Sequence, residues 1–180
     1  MDGESTSVFY RPQKHDVVVY DSVAGELRMN CCGVRELEQF RTGFGLHLFG
    51  DEEHFPGQAK YTLRPLVEDG RDSVACSDID GIDEVTLREV EILYRGRPWQ
   101  KITRKSDDVF ALIEGDRFRW PNNVECLTKA GFEIKFEDSN KTRRVSIFPP
   151  NKAQYTRDED SELVEQWLRA RRFLEEEQAD

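Results

Sequence analysis

The chain has 180 residues, of which 37% are hydrophobic and 34% charged, and its formal net charge is −10 at pH 7. This composition excludes collagen-like, fibrous and disordered classes, and no apolar run approaches the roughly 20 residues that span a bilayer. Because the start MDGESTSVFY lacks the basic and apolar regions of a signal peptide, the sequence predicts a cytoplasmic protein with no membrane contact.

The first elements predicted along the chain are a β-hairpin and a helix. Residues 16–20 form a β-branched apolar run, residues 21–25 give a turn signal, and residues 26–29 alternate, which is typical of a hairpin. From Gly33, apolar residues recur every three or four positions and predict a helix to Phe49 that ends at Gly50. The apolar positions of that helix are Leu37, Phe40, Phe44 and Leu48.

The middle of the chain predicts further strands. Residues 60–66 alternate up to a proline, and residues 73–77 form a second short apolar segment, so both are predicted to be strands. Residues 85–94 alternate with a phase change, which favours a strand with a bulge, although a helix remains the alternative. Residues 97–104 are predicted to add an edge strand.

The last third of the chain carries stronger local signals. Ser106 and the two aspartates after it predict a short helix that ends at Gly115. Residues 131–136 and 144–148 alternate on either side of a turn at 138–140, which predicts a hairpin that the prolines at 149 and 150 end. A final helix begins at residue 160 or 161 and has a stripe of Leu163, Val164, Trp167 and Leu168.

These elements do not alternate regularly between strand and helix. The sequence therefore predicts the α+β class, as a single domain over residues 1–174 with a mainly antiparallel sheet built from hairpins and two or three packed helices. Residues 175–180 are predicted to be an acidic frayed tail. Four cysteines without metal-ligand spacing predict reduced thiols and no disulfide framework.

Charge is distributed unevenly along the chain. Residues 95–157 contain 14 Lys and Arg against eight Asp and Glu, while the segments on both sides are acidic. Cations can neutralise phosphates and a tryptophan can stack on a base, so this segment predicts a nucleic-acid site. Its candidate residues are Arg95, Arg97, Trp99, Lys101, Arg104, Lys105, Arg143 and Arg144. Arg97, Lys101, Arg143 and Arg144 are expected to share one exposed surface.

Two residues suggest a catalytic alternative. Glu133 and Lys135 are two positions apart on a predicted strand, so both side chains project from one face, where a carboxylate could hold a metal and a lysine could polarise a phosphate. This pair resembles the last element of the PD-(D/E)xK nucleases. The resemblance implies a further upstream acid, for which Asp116 and Glu125 are the candidates.

A second group of possible ligands lies after the first helix. His47, Asp51 and His54 fall within eight positions, together with two glutamates, and their nitrogen and oxygen atoms could bind a metal if Gly50 turned the chain back. A half-buried histidine and exposed loop charges explain the same residues without a metal. The sequence therefore predicts no cofactor and leaves these three residues as weak metal candidates.

Because no set of catalytic residues converges, the function predicted first is that of a non-enzymatic binding or accessory protein acting through a protein interface. Nucleic-acid binding through residues 95–157 is the first alternative, and a metal-dependent nuclease using Glu133 and Lys135 is the second. The expected partner is accordingly a protein, with nucleic acid as the other possibility.

Overall fold

The structure is a computed structural model that describes residues 15–22, 25–31, 33–57, 59–156 and 160–175. These residues form four α-helices and seven β-strands in two antiparallel sheets, which confirms the predicted α+β class with a mainly antiparallel sheet. None of the described helices is long and apolar enough to cross a membrane. The chain divides into two compact units after Gly57, and the single domain over 1–174 stays a prediction.

The first unit contains the predicted hairpin and helix. Strands β1 (Val17–Asp21) and β2 (Glu26–Asn30) pair antiparallel, and helix α1 (Val34–Phe49) follows them. Gly50 ends the helix with a φ of 74°, and its N–H donates to the carbonyl of Leu46 at 2.9 Å. Glycine adopts this left-handed conformation most easily because it has no Cβ, and the predicted helix end at Gly50 is confirmed.

Aromatic rings hold the described part of the first unit together. The ring of Tyr20 lies 5.4 Å from that of Phe49 and 6.0 Å from that of Phe55, both in edge contacts. His54 stacks on Phe49 at 3.7 Å between ring centres. Phe55 is the one buried hydrophobic side chain among the described residues of this unit. A small aromatic cluster is therefore the core of the described part of this unit.

The second unit is built on a five-stranded sheet. The long strand at 85–94, the edge strand and the hairpin are confirmed, whereas the short strand after the two prolines was not predicted. The strands are β3 (Ile82–Tyr94), β4 (Gln100–Lys105), β5 (Leu127–Phe136), β6 (Thr142–Phe148) and β7 (Lys152–Gln154). Their order across the sheet is β4-β3-β5-β6-β7, and all neighbouring strands are antiparallel.

Two predicted strands of this unit were wrong. Residues 60–66 contain only an isolated bridge at Tyr61 and then begin helix α2 (Arg64–Glu68). Pro65 lies in the first turn of that helix, where its missing N–H costs no hydrogen bond. In place of the strand at 73–77, the chain makes a 3-10 helix, Gly70–Val74, in which the Ser73 hydroxyl donates to the carbonyl of Gly70 at 2.6 Å.

The other two helices begin and end close to their predicted positions. Helix α3 (Val109–Glu114) is capped by Asp108, whose side chain accepts hydrogen bonds from the amides of Phe110 and Ala111. In helix α4 (Ser161–Ala170), Trp167 is fully buried, and its ring lies 5.0 Å from that of Phe132 on β5. The apolar stripe of α4 therefore packs on the sheet of its own unit.

The two faces of the large sheet differ in chemistry. Paired residues such as Leu87 and Phe132 project toward the core on the side of α4. The opposite side carries paired polar residues such as Glu133 and Arg144. We refer to this second side as the charged face. Its main ionisable residues are Glu89, Glu91, Lys101, Lys105, Lys129, Glu133, Lys135 and Arg144.

Candidate binding surfaces

A bulge in β3 determines which residues of this strand project to the charged face. Leu87 lies opposite Phe132 and Glu89 lies opposite Gly131, so Arg88 is an extra residue between the two pairs. Strict alternation would direct Glu89 into the core. The extra residue instead turns Glu89 to the charged face and returns the next residue, Val90, to the core. The phase change predicted from the sequence is therefore confirmed.

Glu89 is the most buried ionisable group of the charged face, with 3% of its surface exposed. Its Oε1 lies 2.9 Å from Nζ of Lys129 and 3.6 Å from Nζ of Lys105, and its Oε2 contacts the guanidinium of Arg144. Gly131 leaves room for this arrangement, because a Cβ at that position would lie 3.2 Å from Cβ of Glu89. Three cations thus compensate for the loss of water around one carboxylate.

These contacts change the proton affinity of two carboxylates. Burial alone would raise the pKa of Glu89, but the hydrogen bond from Lys129 and the three positive charges outweigh burial and lower it. Glu91 behaves in the same way: burial opposes the shift, and contacts with Lys101 at 2.7 Å and the Thr128 hydroxyl at 2.8 Å lower its pKa. The two glutamates therefore stay ionised and hold their lysines.

A concavity of about 570 Å³ lies beside this cluster. Arg88, Lys105 and Arg144 contribute positive charge to its wall, and Asp107 and Glu133 contribute negative charge. Within it, the guanidinium of Arg88 lies 3.1 Å from Asp107 and 3.8 Å from Glu133. Arg88 thus faces the two carboxylates of the wall, while Lys105 and Arg144 approach Glu89 behind it. Because each of these cations already has a carboxylate partner, the concavity offers little net attraction for a polyanion.

The two residues of the nuclease resemblance lie on the charged face together, but each has another partner. Lys135 contacts the carboxylate of Asp83, and Glu133 faces Arg88. Asp116 lies in a different cleft. Glu125 lies in a 3-10 turn, and its backbone amide donates to the side chain of Asn123. Among the described residues, no three His, Cys, Asp or Glu side chains are close enough together to hold a metal ion.

The loop between β3 and β4 presents a different kind of surface. It contains Arg95, Arg97 and Trp99, which we call the basic tip, and 70% of Trp99 is exposed. In the part of the chain that the structure describes, neither arginine has a carboxylate within 4 Å. The basic tip therefore combines an accessible indole ring with positive charges that have no ion-pair partner in the described part of the chain.

An open cleft of about 310 Å³ adjoins the base of the same hairpin. Arg104, Arg117 and Arg119 line it together with Tyr94 and the buried ring of Phe118, and we call it the arginine cleft. Arg119 pairs with Asp116 at 3.1 Å, whereas the other two arginines have no carboxylate partner among the described residues. This cleft therefore retains a net positive charge.

Strand geometry explains why neighbouring cations of β4 have different surroundings. Arg104 lies opposite Val90, a core residue, and Lys105 lies opposite Glu89 on the charged face. Adjacent residues of a strand project to opposite faces. Arg104 therefore reaches the arginine cleft, while Lys105 is drawn into the cluster around Glu89. The loop after α3 supplies Arg117 and Phe118 to the same cleft. The amides of both residues donate to the carbonyl of Leu112, which fixes the loop against the end of α3.

The expectation that four cations share one surface was wrong. Arg143 lies opposite Ile134, so it projects to the core side of the sheet at β6, where its guanidinium lies 2.7 Å from Asp160. Lys101 and Arg144 lie on the charged face, and Arg97 lies in the basic tip. The predicted nucleic-acid residues therefore fall into three groups: Arg143 on the core side, the cations of the charged face, and the basic tip with Arg104. Within the described part of the chain, the cations of the third group have no carboxylate partner.

The apolar stripe of α1 is incompletely covered. Leu37, Phe40 and Phe44 are half-buried, 52% of Leu48 is exposed, and Gly45 is the one buried residue of the helix. Nine large hydrophobic side chains of the described residues are exposed, and seven belong to the first unit. Those seven are Val17, Val19, Tyr20, Val34, Leu46, Leu48 and Phe49.

The weak metal candidates of the first unit have local contacts instead. His54 stacks on Phe49, and its amide donates to the carbonyl of Asp51 at 3.3 Å. The carboxylate of Asp51 accepts a hydrogen bond from the amide of Glu53 at 2.9 Å, and His47 is exposed. These contacts stabilise the turn after α1.

No protein-family model matches this sequence, and no curated protein or solved structure is significantly similar to it. The surfaces described above are therefore the features of the molecule that bear on its function. Sequence reasoning missed two of their features, namely the cluster around Glu89 and the role of Arg117. The one available signal for the first was the break in alternation at residues 88–89.

Proposed function

We propose that this protein is a non-enzymatic binding protein that acts through a protein interface on the apolar stripe of α1, formed by Leu37, Phe40, Phe44 and Leu48. The observation that carries the proposal is the incomplete cover of this stripe: Leu37, Phe40 and Phe44 are half-buried and 52% of Leu48 is exposed, in a unit that holds seven of the nine exposed large hydrophobic side chains of the described residues. Contiguous exposed apolar surface is typical of interaction sites, because leaving it in water forgoes roughly 25 cal/mol for each Å² that a partner would bury.

Charge indicates the chemistry of the partner. Residues 15–57 contain eight Asp and Glu against three Lys and Arg. Glu36 and Glu38 lie on either side of Leu37 along the helix surface, and Asp51 to Glu53 extend the acidic margin at its other end. We therefore expect a partner protein whose apolar contact surface is bordered by lysines and arginines. A second copy of this chain would bring two acidic margins together and is disfavoured.

A reducing, cytoplasmic location is part of the same proposal. Cys76 and Cys126 are unbridged, and burial raises the pKa of the Cys76 thiol, which favours the unreactive protonated form. Such thiols suit a compartment in which disulfides do not accumulate.

Site-specific photo-crosslinking in cells that express the protein tests the interface. A photoreactive phenylalanine replaces Phe44 on the stripe and, as the matched control, Gln39 on the exposed side of the same helix. We expect a protein adduct at position 44 that is absent at position 39. The captured protein, once purified, should bind the intact chain and should lose most of its affinity for Phe44→Glu while retaining it for Gln39→Glu.

Three outcomes would contradict the proposal. Equal crosslinking at both positions would indicate random encounters rather than an interface. An adduct containing only second copies of this chain, together with a dimer in sedimentation analysis, would assign the stripe to self-association. A captured partner that binds Phe44→Glu as tightly as the intact chain would place the contact elsewhere.

A further inference from the structure

We infer that the basic tip and the arginine cleft together form a binding site for single-stranded nucleic acid, which uses none of the residues of the interface proposed above. Trp99 provides the stacking platform, and Arg95, Arg97, Arg104 and Arg117 provide the phosphate contacts. This combination of an accessible ring with cations is how proteins bind single strands without reading their sequence.

The exposure of Trp99 is the first observation in favour of this site. The protein's other tryptophans have protein partners: Trp167 is fully buried, and Trp120 is half-buried against the rings of Phe110 and Phe118. Trp99 is 70% exposed on a loop between two arginines and the strand β4. An indole in this position is accessible to a base, whereas a structural role would have covered it.

The availability of the arginines is the second observation. Lys101 and Lys105 on the other side of β4 lie 2.7 Å from Glu91 and 3.6 Å from Glu89. In the described ranges, Arg95, Arg97, Arg104 and Arg117 have no such partner, although the chain is rich in carboxylates. Guanidinium groups without carboxylates can bind phosphate oxygens through two parallel hydrogen bonds.

The path between the two groups suits an extended strand. Tyr94 and Gln100 form the pair of the hairpin next to the basic tip. Arg104 lies opposite Val90, which precedes Tyr94 by four residues on β3. At about 3.3 Å per residue this distance is roughly 13 Å. Tyr94, which is partly exposed in the arginine cleft, lies between the two ends and offers a second ring to a bound strand.

The net charge of −10 does not prevent this binding. Residues 95–105 contain five cations and no acid, and ionic screening at physiological salt reduces interactions beyond about 8 Å. The local positive charge therefore determines the encounter with a phosphate chain. An acidic protein would satisfy the arginines as well, but it would not use the exposed ring as a stacking surface, so nucleic acid is the favoured ligand.

The test measures binding of a fluorescein-labelled oligothymidylate of about 12 nucleotides, and of the matching oligouridylate, to the full chain by anisotropy. We expect binding that quenches the exposed tryptophan and weakens as salt rises from about 50 to 200 mM, with a slope of about −0.7 for each phosphate contacted. Trp99→Ala should weaken binding roughly 10- to 100-fold, and Trp99→Phe should restore part of the loss.

Two double variants distinguish binding at this site from non-specific electrostatic attraction. Arg104→Gln with Arg117→Gln should reduce the magnitude of the salt slope by about 1.4. Lys101→Gln with Lys105→Gln removes the same charge from the opposite face and should leave the affinity within about threefold, because these lysines are already paired. Circular dichroism of each variant verifies that the fold is retained.

Several results would overturn the inference. These are absence of binding at low salt, binding that does not respond to salt, an equal loss of affinity in the two double variants, and no effect of Trp99→Ala. Displacement of the oligonucleotide by polyglutamate at equal charge concentration would show that the surface recognises anions in general. None of these outcomes bears on the stripe of α1, which is tested by different variants.

Discussion

Nζ of Lys129 lies 2.9 Å from Oε1 of Glu89, a carboxylate that is almost fully withdrawn from water. The glutamate lies on β3 and the lysine on β5, so the contact joins two central strands of the sheet. Lys105 on β4 and Arg144 on β6 approach the same carboxylate. One buried negative charge therefore connects four of the five strands.

Replacement of this charge should weaken the sheet. Glu89→Gln retains the shape of the side chain but leaves three cations facing one another, so we expect the free energy of unfolding to fall by roughly 2–4 kcal/mol. Urea unfolding measures the change. Glu84→Gln, which alters an exposed residue of the same strand, is the control and should change stability by less than about 0.5 kcal/mol. Equal effects of the two substitutions would contradict the special role of Glu89.

The lowered pKa values of Glu89 and Glu91 predict a dependence of stability on pH. Because both groups hold protons more weakly in the folded chain, their contribution is complete above the ordinary glutamate pKa of about 4.3 and is lost as the pH falls through the folded values. The stability difference between the intact chain and Glu89→Gln should therefore be constant from neutral to weakly acidic pH and should shrink below that value. Urea titrations at a series of pH values test this, and a difference that grows in acid would refute it.

Two glycines of α1 should respond in opposite directions to the same substitution. Gly43→Ala adds a methyl group that meets no described atom within 4 Å apart from its chain neighbours and the backbone of its own helix, so it should stabilise the helix by up to about 1 kcal/mol. Gly45→Ala would place Cβ 2.5 Å from the carbonyl oxygen of Asp51 and should destabilise it by roughly 1–3 kcal/mol. Amide hydrogen exchange of residues 34–49 measures both changes in the full chain. Shifts of the same sign would show that the turn after α1 moves aside.

Trp167 should be the most sensitive position of α4. It is fully buried against Phe132 and Phe173, and its indole N–H donates to the carbonyl of Ala75 at 3.1 Å. Trp167→Ala should therefore cost about 3–5 kcal/mol in thermal or denaturant unfolding.

A deletion at the end of the chain is the control for the Trp167→Ala variant. The amide of Glu175 donates to the carbonyl of Lys60 at 2.9 Å, so the deletion should begin after it. The predicted tail is otherwise outside the described residues. Deletion of residues 176–180 should leave the unfolding midpoint unchanged, and an unchanged midpoint for Trp167→Ala would instead contradict the core assignment.

Local physics explains the elements that the sequence alone determined. The helix end at Gly50 follows from a backbone conformation that glycine adopts most easily, and the start of α3 follows from a carboxylate at Asp108 that satisfies exposed amides. The hairpin of β5 and β6 follows from alternation on both sides of a turn. Each of these signals acts within a few residues, so it is visible before the chain folds.

Tertiary structure decided the surroundings of each side chain. Local alternation favoured a strand at residues 60–66, but packing made residues 64–68 a helix with Pro65 in its first turn. The same segment of basic sequence supplies Lys105 to a buried carboxylate and leaves Arg104 in an open cleft. Composition cannot separate these outcomes, because ion pairing and burial depend on which strands become neighbours and on which face of the sheet each residue projects.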